Sequence, residues 1–136
     1  MTEVLKELGS KRAVVVHADN GMDEFSLSCV NHVGQLQENG EMIYSVFDPR
    51  ETGYAFCDES ELLGKDPKNN ALRLKECLKG HSQALDHTVH INAAWGLLAA
   101  GQASEFMDAL LIAQQSVSSG KAFHCLERLV DLTNSG

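Results

Sequence analysis

The chain divides near Asp66 into a first half with short apolar runs and a second half with helical patterning throughout. Asp66 is a favourable N-cap, and Pro67 suits the first helical position. Beyond them, apolar residues recur at three- and four-residue spacing, interrupted by Gly80, Gly101 and Gly120. The pattern predicts four successive helices, which begin near Asp66, Ser82 or Gln83, Ser104 and Lys121.

The second of these helices, ending near Ala100, is the most apolar and has few positions for a solvated face. We therefore expect it to be the buried central helix. Gly96 in its interior costs about 1 kcal/mol relative to alanine. Close packing of another element against Gly96 is the expected reason for its presence.

The first half contains fewer elements, and most of them are strands. The spacing in Thr2–Leu8 predicts a short helix with Thr2 as its N-cap. The apolar run Ala13–Val16, mostly β-branched, predicts a buried strand, and Phe25–Cys29 alternates as a half-exposed extended segment. Asn39-Gly40 predicts a hairpin because both residues tolerate positive φ, and Asp48-Pro49 ends its second strand. The hairpin strands are expected over Val33–Leu36 and Met42–Phe47.

These elements predict an α/β protein, with a small mixed sheet followed by a C-terminal helical cluster. The 136 residues suffice for one domain with a real core. We treat residues 1–136 as a single, partial α/β domain, because four helices are too many for so small a sheet to cover. The alternative is that the protein dimerises.

Charge and composition exclude several function classes. The net charge is −8 and no basic cluster occurs, which argues against a nucleic-acid partner. No apolar run approaches membrane-spanning length, and no signal peptide is evident, so a cytoplasmic location is expected. The four cysteines have no metal-binding or disulfide-like spacing and are interpreted as reduced thiols. They are Cys29, Cys57, Cys77 and Cys125.

The best candidate for chemistry is the acidic pair Asp23 and Glu24, in a loop just after the first strand. In open α/β sheets, ligands gather beyond the carboxyl ends of strands. A hard cation such as Mg²⁺, which takes oxygen ligands and bridges to phosphate, is the natural partner. The competing interpretation is an ordinary solvated acidic loop. Adjacent side chains point in different directions, so the pair suits one metal held through water, or two metals.

Other polar residues carry weaker signals. His17 ends the first strand and could bond the loop or a substrate, although most such histidines satisfy backbone groups. His87 and His90 lie one helical turn apart, but no cysteine or acidic pattern completes a zinc site. Ser26 lacks the glycine-flanked turn of a hydrolase nucleophile. Asn92, inside the apolar helix, needs polar partners and is interpreted as structural.

Several stretches together resemble the anthranilate phosphoribosyltransferase family. V-V-V-H-A-D-N-G-M-D-E-F-S (residues 14–26) is similar to the strand and D-G-L-D-E-x-S loop of that family. F-D-P-R-E-T-G (47–53) resembles its D-P-E-x-x-G segment, and H-I-N-A-A-W-G-L-L-A-A-G (90–101) resembles its L-N-A-A-A-x-L helix. L-L-G-K-D-P-K-N-N-A (62–71) resembles its glycine-then-asparagine helix start. The acidic loop is the most specific of these matches.

The resemblance implies the C-terminal part of a nucleoside phosphorylase/phosphoribosyltransferase-like α/β domain. In that family the adjacent acids bind the Mg²⁺ that accompanies phosphoribosyl pyrophosphate (PRPP), so Asp23 and Glu24 are the implied metal ligands. The implied reaction is displacement of pyrophosphate from the ribosyl C1 by the anthranilate amine, in tryptophan biosynthesis. Substrate-binding residues remain unassigned, and no residue of this chain is given a catalytic role.

The chain also departs from the family pattern. Ala18 replaces a glycine, and Cys29-Val30-Asn31 replaces G-P-T. The N-terminal helical domain, the glycine-rich phosphoribosyl loop and the basic K-H-G-N segment of the family have no counterpart here. We therefore expect a fragment or a truncated product, inactive by itself. It would self-associate or dock to the absent N-terminal part.

Two other functions stay open at this point. One is a non-catalytic binding or regulatory module. The other is a related transferase with a different acceptor, since no residue of this chain corresponds to the arginine that holds anthranilate in the family.

Overall fold

The computed structural model describes residues 1–135, apart from the side chain of residue 83. The chain forms six α-helices, three strands and one 3-10 turn within that range. The helices are α1 (Thr2–Glu7), α2 (Glu59–Leu62), α3 (Pro67–Cys77), α4 (Gln83–Ala99), α5 (Phe106–Ser118) and α6 (Lys121–Asn134). The strands are β1 (Ala13–Ala18), β2 (Asn31–Leu36) and β3 (Met42–Phe47), and the 3-10 turn is Pro49–Thr52.

The three strands form one sheet in the order β1-β2-β3, and both pairings are antiparallel. The predicted α/β class is confirmed, but the expected mixture of parallel and antiparallel pairs does not occur among the described strands. The reason is the connection after β1. Ala18 at the end of β1 pairs with Asn31 at the start of β2, so the chain turns back at the same end of the sheet.

The hairpin between β2 and β3 is confirmed, with a longer turn than an Asn-Gly pair alone would make. Leu36 pairs with Met42, which leaves residues 37–41 as the loop. Only Gly40 in that loop has a positive φ, of 81°. Asn39 acts through its side chain instead, whose Oδ1 accepts the Glu41 N–H at 2.9 Å.

Capping residues and glycines in the sequence predicted most helix starts correctly. They failed where tertiary packing determines the first residue of the helix. The Asp66 carboxylate caps α3 by accepting the Asn69 N–H at 2.9 Å, as predicted. The predicted caps at Thr2 and Ser104 are wrong. Thr2 is the first residue of α1 and is buried against Gly34. A Cβ added at Gly34 would collide with the Thr2 hydroxyl. Helix α5 begins after Glu105, which brings Phe106 into the core.

The core lies between one face of the sheet and α4. Phe47 of β3 and Trp95 of α4 meet edge to face, with ring centroids 5.5 Å apart. Phe106 packs on Trp95 at 5.1 Å, and the buried Ile91 lies in the same cluster. Helix α4 also contacts α2, α3, α5 and β1, which confirms it as the central helix.

Two expectations about buried segments are corrected. Phe25 and Leu27 are buried, at 3% and 1% exposure, and their segment is an irregular loop rather than a half-exposed strand. Gly96 lies on an exposed side of α4, and no described atom comes within 4 Å of where its Cβ would stand. The predicted close packing at Gly96 is therefore absent from the described part of the chain.

Across residues 1–135, every helix is too short or too polar to cross a membrane.

Candidate functional site

The acidic pair lies in loop 19–30, which joins β1 to β2. Asp23 and Glu24 are both exposed, and both line a cleft of about 220 Å³ between β1 and α4. Val16 forms part of the β1 side of this cleft, and Trp95 and Gly96 form part of the α4 side. Two neighbouring acidic residues therefore border the same concave surface.

The first half of the loop is held by Asn20. Its Oδ1 accepts the Met22 N–H at 3.2 Å, and its Nδ2 donates to Ser28 Oγ at 3.1 Å. The Ala18 N–H donates to the Met22 carbonyl at 3.2 Å, so the turn closes on the end of β1. Gly21, with a φ of 86°, provides the left-handed residue that this turn requires. Met22, directly before the acidic pair, is thereby fixed at both backbone groups.

The second half of the loop is held by Asn31, which is completely buried. Its Oδ1 accepts the Ser26 N–H at 2.8 Å. Its Nδ2 donates to the Ser26 carbonyl at 3.0 Å and to the Cys29 carbonyl at 3.1 Å. The residue that departs from the family's G-P-T pattern therefore ties the loop together. Ala18, the other departure, lies in β1 without a positive φ, so it needs no glycine there.

The residue after the acidic pair is held by α4. Asn92 Oδ1 accepts the Phe25 N–H at 3.0 Å, and Asn92 Nδ2 donates to the Phe25 carbonyl at 2.9 Å. The Phe25 ring lies parallel to the Trp95 ring, with centroids 5.0 Å apart. Asp23 and Glu24 thus lie at the cleft between two anchored residues, Met22 and Phe25.

The charges around the pair leave it available to a cation. None of the ion pairs in residues 1–135 includes Asp23 or Glu24. No group of three or more His, Cys, Asp or Glu side chains in that range is arranged to hold a metal. The chain therefore offers two carboxylates, which suits a cation that keeps several waters and meets substrate phosphates, as Mg²⁺ does.

The histidine at the end of β1 has a different neighbour from the one predicted. His17 is exposed, and its ring stacks on that of His32 with centroids 6.5 Å apart. His32 Nε2, rather than His17, lies 2.8 Å from Asp19 Oδ1 at the start of the loop. Sequence reasoning missed His32 because its position depends on the register of β1 against β2, where it pairs with His17.

The two α4 histidines pack against Tyr54. The Tyr54 hydroxyl lies 3.3 Å from His90 Nδ1, and its ring stacks on His87 at 3.8 Å. Gln114 Nε2 donates to the same hydroxyl at 2.7 Å. Burial lowers the pKa of both histidines, although Asp86 nearby opposes the shift. This cluster joins the segment after the 3-10 turn to α4 and α5, and it takes no part in the acidic site.

Cys77 is excluded as a nucleophile by its surroundings. Burial, together with the nearby Asp86 carboxylate, raises the pKa of its thiol to about 12. The thiol is therefore protonated at neutral pH, and the reactive thiolate is not formed.

Comparison with known proteins identifies the family of the chain. The profile of the family described as "Glycosyl transferase family, a/b domain" matches residues 1–123. The anthranilate phosphoribosyltransferase of Geotalea uraniireducens (strain Rf4) is 37% identical over 134 residues. That of Methylobacterium radiotolerans is 39% identical over 134 residues. Both matches cover 98% of this chain, but only 38% and 39% of the relatives. The chain thus spans about two fifths of the length of these curated relatives.

Solved structures share the fold. Anthranilate phosphoribosyltransferase (TrpD) from Thermus thermophilus superposes with a TM-score of 0.80 and 30% identity. That match covers 93% of this chain and 37% of the other. The Saccharomyces cerevisiae enzyme in complex with PRPP and Mg has a TM-score of 0.76 and 22% identity, over 90% of this chain and 35% of that one. The chain belongs to this glycosyl transferase family, whose a/b-domain profile it matches over residues 1–123.

Proposed function

We propose that this chain forms the C-terminal part of the catalytic α/β domain of an anthranilate phosphoribosyltransferase. The intact enzyme would transfer phosphoribose from PRPP to anthranilate and release pyrophosphate. The supporting observation is that anthranilate phosphoribosyltransferases match 98% of the chain. In addition, the acidic loop is held in place by Asn20, Asn31 and Asn92. The cytoplasmic location expected from the sequence remains part of this proposal.

Within this function, Asp23 and Glu24 would hold Mg²⁺. Their fit to the ion rests on donor chemistry, because both are exposed carboxylates without ion-pair partners among the described residues. The yeast structure that shares this fold was solved in complex with PRPP and Mg. A bound Mg²⁺ supplies positive charge that offsets the charge developing on the diphosphate leaving group. A chain with a net charge of −8 has few cations of its own for that task.

The chain's own part in the reaction is to orient this charge. The hydrogen bonds at Met22 and Phe25 limit the directions that the two carboxylates can take. The remaining elements, including the pockets for the phosphoribosyl group and the acceptor amine, would come from the other three fifths of the enzyme.

A chimeric enzyme tests the proposal. The 134 matching residues of the Geotalea uraniireducens relative are replaced by those of this chain, and anthranilate consumption is followed by fluorescence with PRPP and Mg²⁺. We expect activity. The Asp23→Asn, Glu24→Gln double variant should reduce it at least about a hundredfold, because a metal ion contributes several kcal/mol of charge stabilisation.

The matched control is the Glu127→Gln, Asp131→Asn double variant, which removes the same two charges from α6 and should retain activity. A chimera that unfolds cooperatively but consumes no anthranilate would contradict the proposal. The isolated 136-residue chain is expected to show no turnover, and any product formed by it would also count against the proposal.

A further inference from the structure

Helix α4 holds the acidic loop through a side chain that sequence reasoning treated as structural. Asn92 bonds both backbone groups of Phe25, at 3.0 Å and 2.9 Å, although the two residues are 67 positions apart. Its Nδ2 also donates to the Thr88 carbonyl one turn earlier in α4, at 2.9 Å. The amide therefore acts toward Phe25 as a neighbouring strand would, giving and accepting one bond each.

The position of this contact matters for Glu24. The Phe25 N–H belongs to the peptide plane that joins Glu24 to Phe25, and a peptide plane is rigid. A hydrogen bond that holds this plane also holds the Glu24 Cα, which is one of its atoms, and so limits the directions that the Glu24 Cα–Cβ bond can take. On the other side of the pair, Asn20 and the Ala18–Met22 bond fix Met22 in the same way.

Asparagine at position 92 is chemically specific for this contact. Its amide carries both an acceptor and donors, whereas leucine carries neither and aspartate lacks the donor. A half-buried amide among the apolar residues of the second half of α4 would be unfavourable without partners, and Phe25 and Thr88 provide them. Trp95, three residues further along α4, stacks on the Phe25 ring at 5.0 Å. Helix α4 thus contacts Phe25 twice, through Asn92 at the backbone and through Trp95 at the ring.

We propose that Asn92 is a positioning residue for the cation site, which orients Glu24 through the Glu24–Phe25 peptide plane. This inference rests on the proposed function, because it assigns Asn92 a role toward the cation that Asp23 and Glu24 would hold. Removing a residue that orients a metal ligand without touching the metal typically lowers the metal affinity about 10–100-fold.

The test is Mn²⁺ binding to the full 136-residue chain, measured by electron paramagnetic resonance, with Mg²⁺ as competitor. Mn²⁺ is a suitable probe because it prefers the same oxygen ligands as Mg²⁺. The Asn92→Leu variant should bind Mn²⁺ at least about tenfold more weakly than wild type. The control for lost stability is Leu110→Ala, since the buried Leu110 of α5 packs in a second cluster that contains neither the acidic loop nor Asn92. This control should lower the melting temperature while leaving Mn²⁺ affinity unchanged.

Hydrogen exchange at the Phe25 amide supplies a readout that a general loss of stability would not reproduce. Asn92→Leu should speed exchange at Phe25 beyond its effect on the core amide of Ile91. The Asn92→Asp variant keeps an oxygen for the Phe25 N–H and should retain most of its protection. Equal effects on Mn²⁺ affinity from Asn92→Leu and Leu110→Ala, at temperatures where both variants are folded, would overturn this inference but not the proposed function.

The two proposals can fail separately. If Asp23→Asn with Glu24→Gln leaves Mn²⁺ binding unchanged, the cation site itself is absent. Both the metal part of the proposed function and the positioning role of Asn92 are then overturned. If that double variant abolishes binding but Asn92→Leu does not weaken it, only the positioning role is overturned.

Discussion

The buried amide of Asn31 gives the sharpest prediction of stability. Asn31 is 0% exposed and makes three hydrogen bonds, one to the Ser26 N–H and two to the carbonyls of Ser26 and Cys29. Asn31→Ala removes all three bonds and leaves the backbone groups without their partner. The loop between β1 and β2 then loses its main internal tie, while the side chains around it stay the same.

The size of the effect follows from these bonds. Each contributes about 1 kcal/mol net, so the variant should lose about 3 kcal/mol of unfolding free energy. The entropy of unfolding is about 2.1 cal/mol/K per residue, or roughly 0.29 kcal/mol/K for 136 residues. The melting temperature should therefore fall by about 10 °C.

Thermal unfolding followed by circular dichroism measures this change. The control is Asn134→Ala, which removes an exposed amide that bonds only the Val130 carbonyl near the end of α6. It should lower the melting temperature by no more than about 2 °C, since exposed polar substitutions change stability by about 0.5 kcal/mol at most. If Asn31→Ala shifts the melting temperature as little as Asn134→Ala, the loop is not held by Asn31 and the reasoning fails.

Three further predictions concern α3, α4 and α6. Burial lowers the pKa of His87 and of His90 from 6.5, so the stability gained by keeping them neutral is complete above about pH 6.5 and is lost as the pH falls below it. In urea unfolding, acidification should therefore reduce the unfolding free energy of His90→Leu less than that of wild type. An equal reduction in both would refute this prediction. Cys77, whose thiol pKa is raised to about 12, should resist alkylation at about pH 8 in the folded chain, whereas the exposed Cys125 should react, as mass spectrometry of labelled peptides can check. Gly96→Ala should raise the unfolding free energy of this chain by about 1 kcal/mol, because alanine favours a helix interior over glycine and the new Cβ would have no described atom outside the nearby helix backbone within 4 Å. A lower unfolding free energy, measured by chemical denaturation, would mean that another element packs there.

Much of the fold was predictable because local signals determine it. Asp66 and Pro67 define the start of α3, and Gly120, with a φ of 76°, separates α5 from α6. The apolar runs predicted β1 and the hairpin. The failures occur where packing decides the outcome. Ser104 is a good cap by type, yet α5 begins two residues later because Phe106 packs on Trp95.

The candidate site was predictable in part for the same reason. Asp23 and Glu24 stand out in the sequence because they follow a strand and a glycine, and they resemble a known loop. Whether they bind a metal remains a prediction that the proposed experiments test. The residues that hold them were not predictable. A lone polar residue in an apolar helix signals that Asn92 needs partners, but it does not reveal that the partner is Phe25.

The sequence by itself therefore determined where the elements lie, which loop carries the acids, and which family the pattern resembles. These properties depend on caps, periodicity and turn residues that act within a few positions of one another. Only the tertiary structure decided how the acids are held. The contact between Asn92 and Phe25 joins residues 67 positions apart, and it forms only because the core brings α4 against the loop that follows β1.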